Sequence, residues 1–238
     1  MLLGEREEEI PIDDALFPSR SNPDAPVHGG VRKAASFMKQ DLGLLRQQLD
    51  SLAAAAASCA GPGAPDDGPA LLACEEAWEA VRVGNYGVGA VLLAPSGQVV
   101  ARGRNQVFHP QFHSDLHAEM VALNAFEETH GAMSDLGGHV LVTSVEPCPM
   151  CAARLILARV PKVLYVAADE GGGMARGLDR LPPSFRKLAE LQVFAPADVS
   201  TALRKLASDL FIHNLEALRA LLFKRLGPTG CGAHDLAT

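Results

Sequence analysis

Residues 139–151, HVLVTSVEPCPMC, decide how this chain is read. The first half, His139 to Ser144, is a short apolar and β-branched run of the kind that forms a strand. The second half opens a helix at Pro147, where the missing proline N–H would have no partner in a first turn anyway. Cys148 and Cys151 then fall three apart on that opening turn and share one face. A helix N-terminus favours thiolate over thiol, and thiolate is the form that binds metal. Upstream, His117-Ala118-Glu119 stands near the start of a segment expected to be helical from about Asp115 to His130. Two positions apart, His117 and Glu119 diverge around the axis, so one can hold a metal while the other faces a ligand.

Working outward, Gly87 to Ala94 and Gln98 to Arg104 are two apolar runs around Pro95-Ser96-Gly97, a hairpin signal. Leu71 to Val83 has helical spacing. Lys162 to Ala168 reads as a buried strand, Leu191 to Ala195 as a last strand, and Asp198 as the N-cap of a final helix running to Leu226. Strands joined by helices predict an α/β domain, a three-layer α-β-α sandwich, over residues 70–226. Residues 1–30 are rich in Pro, Asp, Gly and Ser and read as a flexible acidic leader. Val31, Ala35, Met38, Leu42, Leu45, Leu49, Leu52, Ala56 and Cys59 alternate four and three apart, which predicts an amphipathic helix over 31–60. Its stripe is half small or weak residues, so it is expected to lie across its own domain rather than to form a dimer seam. Residues 61–69, GPGAPDDGP, read as a linker and 227–238 as a tail.

The 238 residues carry a net charge of -7, unevenly placed. The first 70 hold six basic against eleven acidic residues, while residues 71–226 hold fifteen against sixteen. The near-neutral body lacks the excess of Lys and Arg of a phosphate-tracking surface, which argues against nucleic acid without excluding a local basic patch. No run approaches the roughly 20 apolar residues of a membrane span. The acidic start lacks the order of a secretory signal, so the expected location is cytoplasmic. Five cysteines are too few and too odd for a disulfide framework; Cys74 reads as a core thiol.

One His and two Cys make three ligands, and a catalytic zinc site leaves its fourth position for water. Glu119 beside such a site could carry protons to a ring nitrogen and a departing amine. C-x-x-C alone could be a redox pair, but a redox pair does not account for His117 and Glu119. His-x-Glu followed by Pro-Cys-x-x-Cys is the zinc deaminase signature. Beyond it, Val88-Gly89-Ala90-Val91-Leu92, Gly103-Arg104-Asn105, Thr143 to Cys148 and Ser208-Asp209-Leu210-Phe211 resemble the strands and C-terminal helix of the cytidine deaminase-like superfamily. The similarity is strongest to cytosine, guanine and nucleoside deaminases and bacterial tRNA adenosine deaminases. It implies a mixed five-stranded sheet between helices, bound Zn2+ and a homodimer.

The resemblance also implies that Asn105 contacts the base or ribose and that side chains of the C-terminal helix, with Phe211 and Asp209 as candidates, close the pocket. Phe108 and His109 are expected at the entrance, with His113 on the rim. Glu146 is expected to matter through its backbone more than its carboxylate. Gly171 to Gly173 reads as a turn, with a lid as the alternative, and Cys231 and His234 as inert. The leading expectation is deamination of a free nucleobase or nucleoside. The alternatives are A-to-I deamination of tRNA and a catalytically idle fold used as an interaction module.

Overall fold

In a computed structural model the described residues are 29–57, 64–131 and 135–225, with side chains described from Leu42 to Lys224 within these. The leader up to residue 28, Cys59, residues 61–63 of the expected linker, and the tail with Cys231 and His234 lie outside them. The chain divides into two compact units, 1–38 and 39–238. In the first, the described residues belong to the opening turns of helix α1 (Gly29–Ala57).

The second unit is a five-stranded sheet in the order β2-β1-β3-β4-β5. β1 (Gly89–Leu93) pairs antiparallel with β2 (Val99–Arg104) and with β3 (Val140–Val145). β3 pairs parallel with β4 (Lys162–Ala167), and β4 with β5 (Val193–Pro196), so the sheet is mixed. Parallel neighbours need helical crossovers. α4 (Pro149–Leu157) lies between β3 and β4, and α5 (Pro183–Ala189) between β4 and β5. Alternation along β1 divides its side chains between two cores. Val91 and Leu93 face Leu71, Cys74 and Ala77 of α2 (Asp67–Arg82) and Leu203, Leu206 and Leu210 of α6 (Thr201–His213). Ala90 and Leu92 face Ala118, Ala122 and Leu123 of α3 (Ala118–His130) and Leu155 of α4. The result is the three-layer α-β-α arrangement.

The C-terminal half of α1 adds to the α2–α6 core. Leu45 and Leu49 are buried there, with Leu42 and Leu52 packed beside them. Trp78 of α2 donates its indole N–H to the Leu42 carbonyl, and the Arg46 guanidinium lies 5.0 Å from the Trp78 ring centroid. Ala56, the last described member of the apolar stripe, is exposed.

Several boundaries differ from the sequence reading for local reasons. α2 starts at Asp67 and takes in Gly68 and Pro69, because a proline in the first turn gives up no helical hydrogen bond. The expected final helix is two, α6 and α7 (Leu215–Arg225), separated at Asn214. Its N-cap is Ser200, whose hydroxyl accepts from Leu203 N–H, and not Asp198. The Asp198 N–H is taken by the Asp66 carboxylate, which ties the start of α6 to the start of α2. α4 starts two residues later than expected, with Pro149 rather than Pro147 in the first helical position. Among the described residues, no helix is long and apolar enough to cross a membrane.

β2 presses on the beginning of α3 through Gly103, where a Cβ would stand 2.1 Å from the Ala118 carbonyl oxygen. Only a residue without a side chain fits. Gly103→Ala is therefore expected to lower stability by about 1–3 kcal/mol, the usual cost of overpacking. Denaturant unfolding checks it, and an unchanged midpoint would show that this contact is loose.

Candidate active site

Two helix N-termini meet at one point. His117 is the N-cap of α3, with extended backbone at φ -72, ψ 157, and Cys148 is the N-cap of α4, at φ -70, ψ 172. Neither side chain caps its own helix, so both are free to point at the space between them. Cys148 Sγ lies 3.6 Å from His117 Nδ1. One turn into α4, Cys151 is fully buried, and its Sγ lies 3.4 Å from Glu119 Oε2. The ligand atoms of His117, Cys148 and Cys151 all fall within 4.8 Å of one another. The two helices are held together away from the site by Arg154 of α4, which donates to the Glu127 carboxylate of α3 at 2.6 Å. The sequence predicts Cys148 inside the helix; as the N-cap it stands just before it, with its sulfur toward His117 at the start of α3.

The electrostatics follow from crowding. A hydrogen bond from Cys151 pulls the Cys148 thiol down to about 4, against the burial that would raise it. Cys151 is pushed strongly up, by that same hydrogen bond, by burial and by the neighbouring Glu119. Burial works to lower His117, but the Cys148 sulfur beside it prevails and holds it above the usual range. Glu119 is 3% exposed, and burial, with the negative sulfur of Cys148 nearby, raises it. One imidazole and two thiols, one already disposed to ionise, are the donor set that suits Zn2+. The group fits the metal, and a carboxyl stands within reach of it.

The loop between β2 and α3 leads into His117. Its neck is closed by Gln106 N–H to the Leu116 carbonyl, which brings Asn105 and His117 to opposite sides of one hydrogen bond. Asn105 is buried, and its Oδ1 accepts from Val107 N–H. Phe108 is half-buried and meets Tyr86 and Phe112 edge to face, while His109 and His113 are exposed. Phe211 is half-buried on α6. Asp209 is paired with Lys205 along the same helix at 2.5 Å, so its carboxylate is engaged locally.

One residue that the sequence does not single out ties down this loop, and another, Glu146, acts near the metal site otherwise than expected. Asn85, fully buried after α2, accepts from Phe108 N–H at 2.7 Å and His109 N–H at 2.9 Å. It also donates to the His109 carbonyl at 3.2 Å, and its own carbonyl accepts from Asn214 Nδ2. An Asn after a helix reads as ordinary turn chemistry, and nothing local signals a partner 24 positions away. The second is Glu146, expected to act through its backbone. Its buried carboxylate instead accepts from Asp169 N–H, Arg176 N–H and the Arg176 guanidinium.

Asn85→Ala should free the Phe108 and His109 amides while leaving the metal site intact. Faster hydrogen exchange at both amides is the expected reading, and unchanged protection would remove Asn85 from this role.

A family model described as the cytidine and deoxycytidylate deaminase zinc-binding region matches residues 69–167, which include His117, Glu119, Cys148 and Cys151. The chain is 37% identical over 109 residues to a tRNA-specific adenosine deaminase of Bacillus subtilis, covering 46% of this chain and 66% of that protein. It is 31% identical over 121 residues to the tRNA-specific adenosine deaminase of Streptococcus pyogenes, covering 51% and 74%. A tRNA(Ile)-lysidine synthase of Deinococcus deserti is 38% identical over 96 residues, covering 40% of this chain but only 17% of that protein. A solved structure in complex with 2,6-diaminopurine matches with a TM-score of 0.50 at 23% identity, over 63% of this chain and 82% of the other, a likeness of fold.

Proposed function

The chain belongs to the cytidine and deoxycytidylate deaminase family, and from that premise we propose that it is a zinc-dependent hydrolytic deaminase converting an adenosine of tRNA to inosine. The family carries the deaminase chemistry. The choice of tRNA is supported by the relatives named tRNA-specific adenosine deaminases, 37% identical over 109 residues and 31% identical over 121. The near-neutral charge of the body favours a free base or nucleoside, but a whole-body balance says little about one local path for a strand. At the rim, Tyr86, Phe108 and Phe112 form a run of half-buried rings beside exposed His109 and His113. Such rings suit stacking of the nucleotides that flank an extruded base.

In this reading His117, Cys148 and Cys151 hold the zinc. When bound, zinc supplies the Lewis acidity that makes water a nucleophile near neutral pH. Glu119 carries the protons. Its carboxylate takes one from the attacking water and gives it to the ring nitrogen next to the reacting carbon, then takes the second from the hydroxyl now on that carbon and delivers it to the departing amine. Oxygen from water replaces nitrogen at the ring carbon, and ammonia leaves. Burial suits Glu119 to this, because a carboxyl raised above its ordinary range exchanges a proton more evenly with weakly basic groups. Asn105 has committed its Oδ1 to Val107, so its Nδ2 is the group offered to the base or ribose. Phe108 and His109 form the entrance. Phe211 closes the pocket from α6, and Asp209 acts at most through its pair with Lys205. A homodimer belongs to the same reading and is measurable by light scattering.

The purified full chain should contain about one zinc and convert adenosine to inosine in tRNA, detected in nuclease digests. Release of ammonia from free bases or nucleosides alone would overturn the tRNA assignment and leave the deaminase. Glu119→Gln is expected to keep its zinc and lose about 100-fold or more in rate, the usual contribution of positioned acid–base catalysis. Full activity in that variant would remove Glu119 from the mechanism.

A further inference from the structure

Glu146 stands directly before the Pro147-Cys148 turn with a side chain that is 0% exposed. The chemistry above does not use it. It accepts from the backbone N–H groups of Asp169 at 3.3 Å and Arg176 at 3.2 Å, and from Arg176 Nε at 3.1 Å. Arg176 Nη2 also lies 3.0 Å from it, while the other end of that guanidinium donates to Glu170 at 3.1 Å. A second attachment runs parallel to the first, from Met174 N–H to the Pro147 carbonyl at 2.8 Å. Between them Gly173 passes so close that a Cβ would stand 2.3 Å from the Glu146 carboxyl carbon and 2.6 Å from the Asp169 carbonyl oxygen. The segment 169–176 is thus folded onto the two residues that lead into Cys148.

Cys148 needs such support. As an N-cap in extended conformation it lies outside the helical φ/ψ of α4, and its sulfur goes where the chain before it is held. The helix fixes Cys151; residues 146 and 147 fix Cys148. A buried carboxylate with two backbone N–H donors and a forked guanidinium has a defined position and orientation. We propose that Glu146, clamped by Arg176 and seated against Gly173, is a positioning residue that sets Cys148 as a metal ligand. The segment from Asp169 to Arg176 is then part of the metal site's framework, and neither a plain turn nor a lid. This rests on the assignment of His117, Cys148 and Cys151 as ligands.

The test uses the full chain loaded with zinc or with Co2+ alone. Glu146→Ala and Gly173→Ala are expected to release zinc to a chromogenic chelator about 10-fold faster or more, the usual effect of removing a group that orients a ligand. In the Co2+ proteins the thiolate-to-metal absorption band should shift in both variants, a signature that a general loss of stability in a still-folded protein would not produce. Arg176→Ala should lie between, because the two backbone donors to Glu146 remain. Release rates within two-fold of wild type and an unchanged Co2+ spectrum would overturn the proposal. Should Glu146→Ala fail to fold, Gly173→Ala decides, since it removes no charge and adds one methyl. A wild-type chain that takes up no Co2+ overturns the ligand assignment and this proposal together; normal loading with unaltered variants overturns the proposal alone.

Discussion

The meeting of two helix N-termini at one point is the constraint on which the rest of this structure depends. His117 and Cys148 are 31 positions apart, yet each is the N-cap of a helix and each sends its side chain into the same small space. Two helix ends directed at one point concentrate positive potential there, which favours thiolate and any anionic group drawn into the site. That arrangement would be a liability without something to occupy it. The ionisable crowd of His117, Glu119, Cys148 and Cys151 is the answer built into the chain, and the shifts of all four follow from burial and from each other.

Keeping both helix ends in place uses most of the fold. β1 and β3 bring the two helices to one face of the sheet, where Ala118, Ala122 and Leu123 share a core with Leu155. Gly103 lets α3 approach β2 at backbone contact, and Arg154 bridges α4 to Glu127 on α3. The parallel pairing of β3 with β4 has a further effect. It brings the C-terminal ends of both strands together, so the segment after β4 is delivered beside Glu146, where Arg176 can reach it. The loop before α3 is organised in the same way from a distance, with Asn85 holding Phe108 and His109 while Asn214, between α6 and α7, holds Asn85.

Net charge and the selectivity of a site are set by different residues. Fifteen basic against sixteen acidic residues in the body describe its total field, which governs long-range attraction. Selection of a substrate depends instead on a few side chains at a site, and rings and imidazoles contribute little to a net charge.

By itself the sequence determined the elements that local chemistry controls. Apolar periodicity marked the strands and helices, and the spacing of His117, Glu119, Cys148 and Cys151 marked a zinc-type ligand set, because helix geometry turns short spacings directly into shared or divergent faces. It left terminal residues uncertain by two or three positions, since Pro149 and Pro147 are both acceptable in a first turn and Ser200 and Asp198 are both good caps. Only the tertiary structure decided which polar groups hold the site in place. Asn85 reaches loop amides 23 and 24 positions away, and Glu146 reaches Asp169 and Arg176 across a strand crossover. Each is an unremarkable Asn or Glu in its own neighbourhood. Its role comes from burial beside chain segments distant in sequence, where an unpaired polar group would be costly and a paired one fixes geometry.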